Sequence, residues 1–557
     1  MSSSESSSTP HPTNHERDPL LGNHKTIDNG TIEAAHSSPT AEDVDDSEDA
    51  PLLPDEPTTK QLLVAMSSIW LGSFLAALDV TIIATLSAPI SASFHSLQLL
   101  SWLASGYLIA NAAFQPLSGK LTDIFSRRTG LLFANVFFGV GNLICGLARE
   151  EWVMIFGRVV SGVGGGGLHA ISTFVASDMI PLRRRGVWQG FGNIMYGVGA
   201  ALGGVYGGFI NDTIGWRWAF LIQVPFVALS TVIVYFTVNI PVKATEKSAW
   251  KRIDYLGSFM LIVTLVTLLL GLNSGGNLVP WTHPLVLTTL PLSALLLLGF
   301  IYVENNYAAE PVIPVKLLLD RTVLSACFTN FFITISTFGV LFFAPIYFQV
   351  LGQSPTRAGA QMAPQSVGVG LGSITTGLVM RWAGKYYLLN ISIQTIFTAS
   401  LILGSTWNLA TPTWEHIITV FCCGVGYSGM LTVSLLALIS AVEHKHQAVV
   451  TSTSYAFRST AATMGVAIAS AVFQNILKIR LWDRVGDRPD AAEIIPKIRD
   501  SLEAIKDLPP SWKADVQNAY MDALHGVFLT MLGIAILGGI VSLFMRENKL
   551  HNNLSRK

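Results

Sequence analysis

The chain has 557 residues, of which 50% are hydrophobic and only 13% charged, with a formal net charge of −1 and a mean hydropathy of +0.48. Soluble domains average about 25% charged residues, so much of this sequence is built for lipid, and its balanced charge offers nothing to nucleic acid. Cys145, Cys327, Cys422 and Cys423 all fall in apolar runs without disulfide or zinc spacing, and no triad, metal cluster or phosphate loop is present, which argues against an enzyme and against any bound cofactor or metal.

Residues 1–60 are rich in Ser, Thr, Pro, Asp and Glu. They cannot bury a core and read as a disordered cytosolic tail with no cleavable signal peptide. Apolar runs then predict spanning helices at about 61–86, 99–118, 129–148, 152–177, 187–210, 216–239, 254–273, 284–303, 323–350, 359–380, 386–406, 415–440, 449–477 and 524–545. The loops test that count of about fourteen independently. With a cytosolic N-terminus, the inner loops collect Lys120, Arg127, Arg128, Arg183, Arg184, Arg185, Lys243, Lys247, Lys251, Arg252, Lys316, Arg321, Arg381, Lys385 and Lys445. The short outer loops hold only Arg149, Arg217 and Arg357, so both termini are expected in the cytosol, residues 546–557 forming the second tail. The segment 478–523 mixes both charge signs and reads as a long lumenal loop, with the pattern of a short surface helix around Ala492–Ile505.

Several residues stand out against this apolar background. Asp79 lies in mid-span, where a lone charge costs at least about 2.5–3.5 kcal/mol. It must face a cavity, pair with a cation or take up a proton, unless it is a structural carboxylate satisfied by helix ends or hydroxyls. Arg158 is buried by position and keeps its charge, so it could hold a carboxylate. His169 follows eleven residues later, about three helical turns on and on nearly the same face. It could relay protons, although a hydrogen-bonded core histidine is the commoner role. Arg458 is a further intramembrane charge, either pairing across the bundle or anchoring an inner surface. Tyr107, Asn111, Gln115, Asn193, Tyr196, Asn330 and Gln349 could bond a substrate, and each could equally be a helix–helix contact. The glycines at 162, 164–167, 197, 199, 203, 204, 207 and 208 follow no strand and lie within spans, so they suit close helix packing rather than phosphate binding.

The charged hinge Gly119-Lys120-Leu121-Thr122-Asp123-Ile124-Phe125-Ser126-Arg127-Arg128 resembles the loop between helices 2 and 3 of major facilitator superfamily transporters. Further stretches resemble the fourteen-helix drug:proton antiporter branch. They are Leu78-Asp79-Val80-Thr81-Ile82-Ile83 followed by Pro89, Trp102 to Tyr107, Gly157-Arg158-Val159-Val160-Ser161-Gly162-Val163-Gly164, Gly203-Gly204-Val205-Tyr206-Gly207-Gly208, and Trp216-Arg217-Trp218 with Phe220 and Pro225. Ser126, Gly204 and Gln223 depart from the usual Gly, Pro and Asn. Gly377–Lys385 looks like a decayed second copy of the hinge, after the tenth helix. The resemblance implies an all-α integral membrane fold: a six-helix bundle over 61–240, two additional helices within 241–322, and a second six-helix bundle over 323–545, with substrate held between the bundles. It also implies a conformational gate at Gly119, Asp123, Arg127 and Arg128, with Asp178 as a candidate partner, and an antiporter helix around Gly199, Gly203, Gly207 and Gly208. The matching arginine of the family, here Arg158, is linked to proton transfer.

The tail repeats an acidic residue four positions before a leucine pair, at Glu16 with Leu20 and Leu21, and at Glu48 with Leu52 and Leu53. This resembles an adaptor-read dileucine signal, which implies a clathrin-type adaptor partner and an endosomal, lysosomal or vacuolar membrane. Together with Pro345-Ile346-Tyr347-Phe348-Gln349 and the long penultimate loop, the chain resembles fungal vacuolar basic amino acid transporters. The resemblance implies a monomer in the lipid bilayer that moves Lys, Arg or His from the cytosol into an acidic lumen in exchange for protons. A multidrug or toxin antiporter, at the plasma membrane, is the alternative within transport, and a non-transporting nutrient sensor lies outside it.

Overall fold

The computed structural model describes residues 59–96, 99–180, 182–238, 255–275, 279–307, 315–442, 444–488, 491–500 and 508–547. Both leucine-pair signals, the basic loop at 239–254 and most of the C-terminal tail lie outside them. The helices are α1 (Thr59–Ser93), α2 (Leu99–Ile124), α3 (Arg127–Leu147), α4 (Glu151–Met179), α5 (Leu182–Ile214), α6 (Arg217–Leu221), α7 (Gln223–Thr237), α8 (Tyr255–Ser274), α9 (Pro284–Asn306), α10 (Val315–Leu318), α11 (Arg321–Val350), α12 (Pro355–Ala383), α13 (Tyr387–Ser405), α14 (Thr413–Ala441), α15 (His444–Val485), α16 (Ala491–Asp500) and α17 (Pro510–Ser542). With α6 and α7 counted as one crossing and the short α10 and α16 set aside, the order matches the fourteen expected spans. Eleven of the described helices are long and apolar enough to cross a membrane.

Local chemistry sets the helix ends. Asp320 caps α11 by accepting hydrogen bonds from the Thr322 and Val323 amides at 2.8 and 3.1 Å. Ser126 caps α3 through the Thr129 amide, and Ser354 caps α12 just before Pro355, a residue suited to the first turn. Gly384 stops α12 at φ 63°, a left-handed C-terminal position that glycine adopts without strain.

In the first bundle α1 packs on α4, α5 and α7, and α4 lies against α2 and α3; in the second α11 packs on α15 and α17, and α14 on α12 and α13. The bundles meet along two seams, α5 with α12 and α2 with α15, while α1 and α11 touch between them. Burial follows this plan. The most apolar windows of α1 and α11 are 78% buried, whereas that of α9 is 22% buried, and Leu295, Leu298 and Tyr302 of α9 point outward as a lipid-facing helix requires. The additional pair α8–α9 docks through α8 onto both α2 and α15, where the Ser105 hydroxyl donates to Asn273 Oδ1 at 3.1 Å.

The end of the molecule at which α1 begins is here the near face, and the opposite end the far face. On the far face the segment 478–523, expected to be a loop, is largely helical: α15 continues to Val485, α17 begins at Pro510, and α16 packs beside α15. Ion pairs hold these extensions together, Arg484 to Asp522 at 2.8 Å, Arg480 to Asp522 at 3.5 Å, and Arg488 to Asp515. Tyr520 donates to the Ile498 carbonyl at 2.7 Å, and Ile495, Ile498 and Trp512 are buried. Mixed charge marked a solvated stretch, but one that pairs its charges along helices rather than one without structure.

A buried ion pair beside a central cavity

The first two sequence candidates meet. Arg158 of α4 donates from Nη1 to Asp79 Oδ2 of α1 at 2.6 Å, and the two side chains are 1% and 0% exposed. Arg158 Nε donates to the Leu103 carbonyl of α2 at 3.1 Å, and its guanidinium lies 4.5 Å from the centre of the Tyr107 ring. One arginine thus ties together α1, α2 and α4, and Asp79 is satisfied by a cation rather than by hydroxyls. Its second oxygen, Oδ1, is buried with no hydrogen-bond partner among the described residues. Glycines make the approach possible: a Cβ at Gly162 would run into the Tyr107 carbonyl, and one at Gly165 into the Tyr107 hydroxyl.

Tyr107 also forms part of a cavity of about 80 Å³ between the bundles, roughly midway along their helices. That is several times the 10–15 Å³ or so that one water requires. Its wall takes Asn111, Gln115, His169 and Tyr196 from the first bundle, and Thr334, Tyr427, Tyr455 and Arg458 from the second. His169 sits between aromatic rings, 5.3 Å from Tyr196 and, edge-on, 5.8 Å from Tyr455. Arg458 lies over the Tyr455 ring at 5.1 Å and faces Tyr427. It is a wall residue of the cavity and not an anchor at the membrane surface. Asp79 and Arg158 are absent from that wall, so Tyr107 stands as the partition between ion pair and cavity.

The other candidates divide. Asn330 donates to the Ser454 hydroxyl at 2.9 Å and accepts from Ser434 at 2.6 Å, a helix–helix contact away from the cavity. Gln349 reaches across the bundles to the Thr85 carbonyl at 3.5 Å. Asn193, Asp123 and Asp178 lie on helices, but their side chains, and the surroundings of Gly119, fall outside the described residues. Arg127 donates to the Thr122 hydroxyl at 2.8 Å and lies 5.2 Å from the Phe174 ring, while Arg128 sits 4.2 Å from the Tyr235 ring. Both arginines therefore pack on aromatic faces of their own bundle. Tyr427 and Tyr455 were not singled out from the sequence. Tyr455, one turn before Arg458, was the available signal, because residues three apart share a helix face.

The far-face ends of the bundles are in close contact. Gly199, Gly203 and Gly207 lay one face of α5 against Phe74, Leu78 and Ile82 of α1. Gly204 and Gly208 lay the other face against α12, where a Cβ on Gly359 would strike the Gly204 carbonyl and one on Gly208 would crowd Thr356. Asp212 and Thr356 are hydrogen-bonded across the same seam. Toward the near face, the Ser459 hydroxyl donates to Gln115 Oε1 across the other seam.

Comparison with known proteins agrees with this fold. The profile of the Major Facilitator Superfamily matches residues 69–470. The chain is 36% identical over 497 residues to the multidrug resistance protein fnx1 of Schizosaccharomyces pombe, covering 88% of this chain and 94% of that protein. It is 32% identical over 524 residues to vacuolar basic amino acid transporter 1 of Saccharomyces cerevisiae, covering 86% and 91%. Among solved structures, a bacterial homolog of the human lysosomal transporter Spinster, in an inward-facing and occupied conformation, superposes with a TM-score of 0.58 at 15% identity, covering 87% of this chain and 97% of that one.

Proposed function

Because this chain belongs to the Major Facilitator Superfamily and is a multi-pass membrane transporter, we propose that it moves basic amino acids from the cytosol into an acidic vacuolar lumen in exchange for protons. The near face is then cytosolic and the far face lumenal, the orientation that the basic loops favour.

The observation that carries this reading is the Asp79–Arg158 pair, fully buried and separated from the cavity by one tyrosine ring. While Asp79 is ionised the pair is neutral as a unit. A proton arriving at Asp79 leaves the arginine, which cannot lose its own charge, uncompensated. An abandoned buried charge costs about 3–5 kcal/mol. The helices relieve that cost by rearranging until the guanidinium finds water or Asp79 releases its proton to the other side. Any such shift moves Tyr107, on which the guanidinium lies, and with it one wall of the cavity. Proton and cargo are linked through this partition, not by direct competition for one carboxylate, since Asp79 does not line the cavity.

The driving force suffices. Two pH units supply about 2.7 kcal/mol per proton, which sustains a concentration ratio of about a hundredfold when one proton is exchanged for one monocation. That exchange moves no net charge, so the potential, about 2.3 kcal/mol per charge per 100 mV, adds to it only for protons in excess of the cargo charge. The vacuolar relative, a basic amino acid transporter by name, supports the cargo assignment; the multidrug resistance relative supports a second reading, proton-driven efflux of drugs.

Uptake of radiolabelled lysine and arginine into vacuolar vesicles from cells lacking and overproducing the chain tests the proposal. Uptake that needs an acidic interior and collapses with a protonophore is expected. Dye movement without amino acid uptake would overturn it in favour of efflux.

A further inference from the structure

The cavity wall carries one permanent cation, Arg458, and no carboxylate among its described lining residues. For a site expected to receive positively charged cargo this arrangement is unexpected, and it constrains what the cargo must bring. Among the described residues no acidic side chain forms an ion pair with Arg458. Its neighbours are the tyrosines at 427 and 455, the first within hydrogen-bonding reach of the guanidinium, and its Nε is buried with no hydrogen-bond partner among the described residues. A half-buried cation without an anionic partner is incompletely compensated, and a guanidinium offers a planar fork of donors that matches a carboxylate.

We infer that Arg458 is the carboxylate-recognition residue of the cavity, so that the cargo must be an amino acid rather than a simple organic cation. The inference rests on the proposed amino acid transport and adds the feature of the cargo that is selected. The α-carboxylate docks on Arg458 of the second bundle. The amino groups, repelled by the same arginine, lie toward the neutral wall of the first bundle, where Tyr107, Asn111 and Tyr196 offer oxygens and a ring face. A cargo bound in this way touches both bundles at once and draws them together. A decarboxylated amine would meet Arg458 as like charge against like and bring no acceptor for its Nε–H.

The test is equilibrium binding of arginine and of agmatine, its decarboxylated counterpart, to the purified full chain in lipid nanodiscs. Wild-type protein is expected to bind arginine at least tenfold more tightly than agmatine. Arg458→Gln should bring arginine down to the agmatine level, and Arg458→Lys, which keeps a point charge without the planar fork, should retain part of the preference. Equal binding of the two ligands by wild-type protein, or a preference undiminished in Arg458→Gln, would overturn the assignment and leave cation transport standing. A tenfold preference in protein that shows no gradient-driven uptake would uphold Arg458 and remove only the antiport reading. Binding of neither ligand would overturn both. The wild-type comparison needs no substituted protein to fold.

Discussion

At the scale of single residues the site is organised around two arginines that keep their charge, Arg158 paired with Asp79 and Arg458 facing tyrosines. Asp79 and Arg158 were each conspicuous in the sequence, because an ionisable group in an apolar span demands a partner. Their pairing was not legible: they are far apart in sequence, on α1 and α4, and only the packed bundle brings them to 2.6 Å. Tyr427 and Tyr455 are not legible, because a tyrosine in an apolar helix reads as ordinary packing until the folded bundles place it in a cavity wall. The ion pair makes a prediction about stability as well as transport. Asp79→Asn should abolish gradient-driven uptake and also destabilise the protein by about 3–5 kcal/mol, because it strands Arg158. Adding Arg158→Gln should restore most of the thermal stability in detergent while uptake stays lost. A double variant no more stable than the single one would show that the pair is not what holds α1 to α4.

At the scale of helices, the order of the spans could be read from hydropathy and loop charge, while their true lengths could not. α15 and α17 run past the expected boundaries because their polar extensions pair arginines with aspartates along the helix instead of dissolving into loop. Gly204, which stands where proline is usual in the resembled branch, has a structural reason. This position meets the backbone of Gly359 across the seam, and a pyrrolidine ring there would intrude on that contact. α5 accordingly runs unbroken from Leu182 to Ile214. Rocking of the bundles requires this far-face contact to open. Cysteines placed at Asp212 and Thr356, in a background without the four native cysteines, should cross-link on mild oxidation and stop uptake, and reduction should restore it. Uptake unaffected by a completed cross-link would mean that the seam does not open during transport.

At the scale of the whole molecule, the membrane-spanning character was legible from composition, whereas the two bundles and the inserted pair α8–α9 were implied by the resemblance to the superfamily. The seam on which the inserted pair rests was not, since it depends on which outer faces of α2 and α15 remain free. The division into a first bundle over 61–240, an insertion over 241–322 and a second bundle over 323–545 remains our reading of how the parts move. We propose that the tail at 1–60 serves as an address. Replacing Leu20, Leu21, Leu52 and Leu53 with alanine should shift a fluorescently tagged chain from the vacuolar membrane to the cell surface. Unchanged vacuolar residence would assign the address to another part of the chain.

The position of α8 has a consequence for the route by which cargo arrives. One side of the gap between the bundles is shuttered by a helix that rests on both of them, and the other is closed toward the far face by backbone meeting backbone at Gly204 and Gly359. A greasy molecule dissolved among the acyl chains therefore finds no sideways portal beside α8 or at those glycines. With those two places shut to solutes in the acyl chains, the route to Arg458 is weighted toward the aqueous faces, which favours small hydrophilic solutes before any side chain has recognised them.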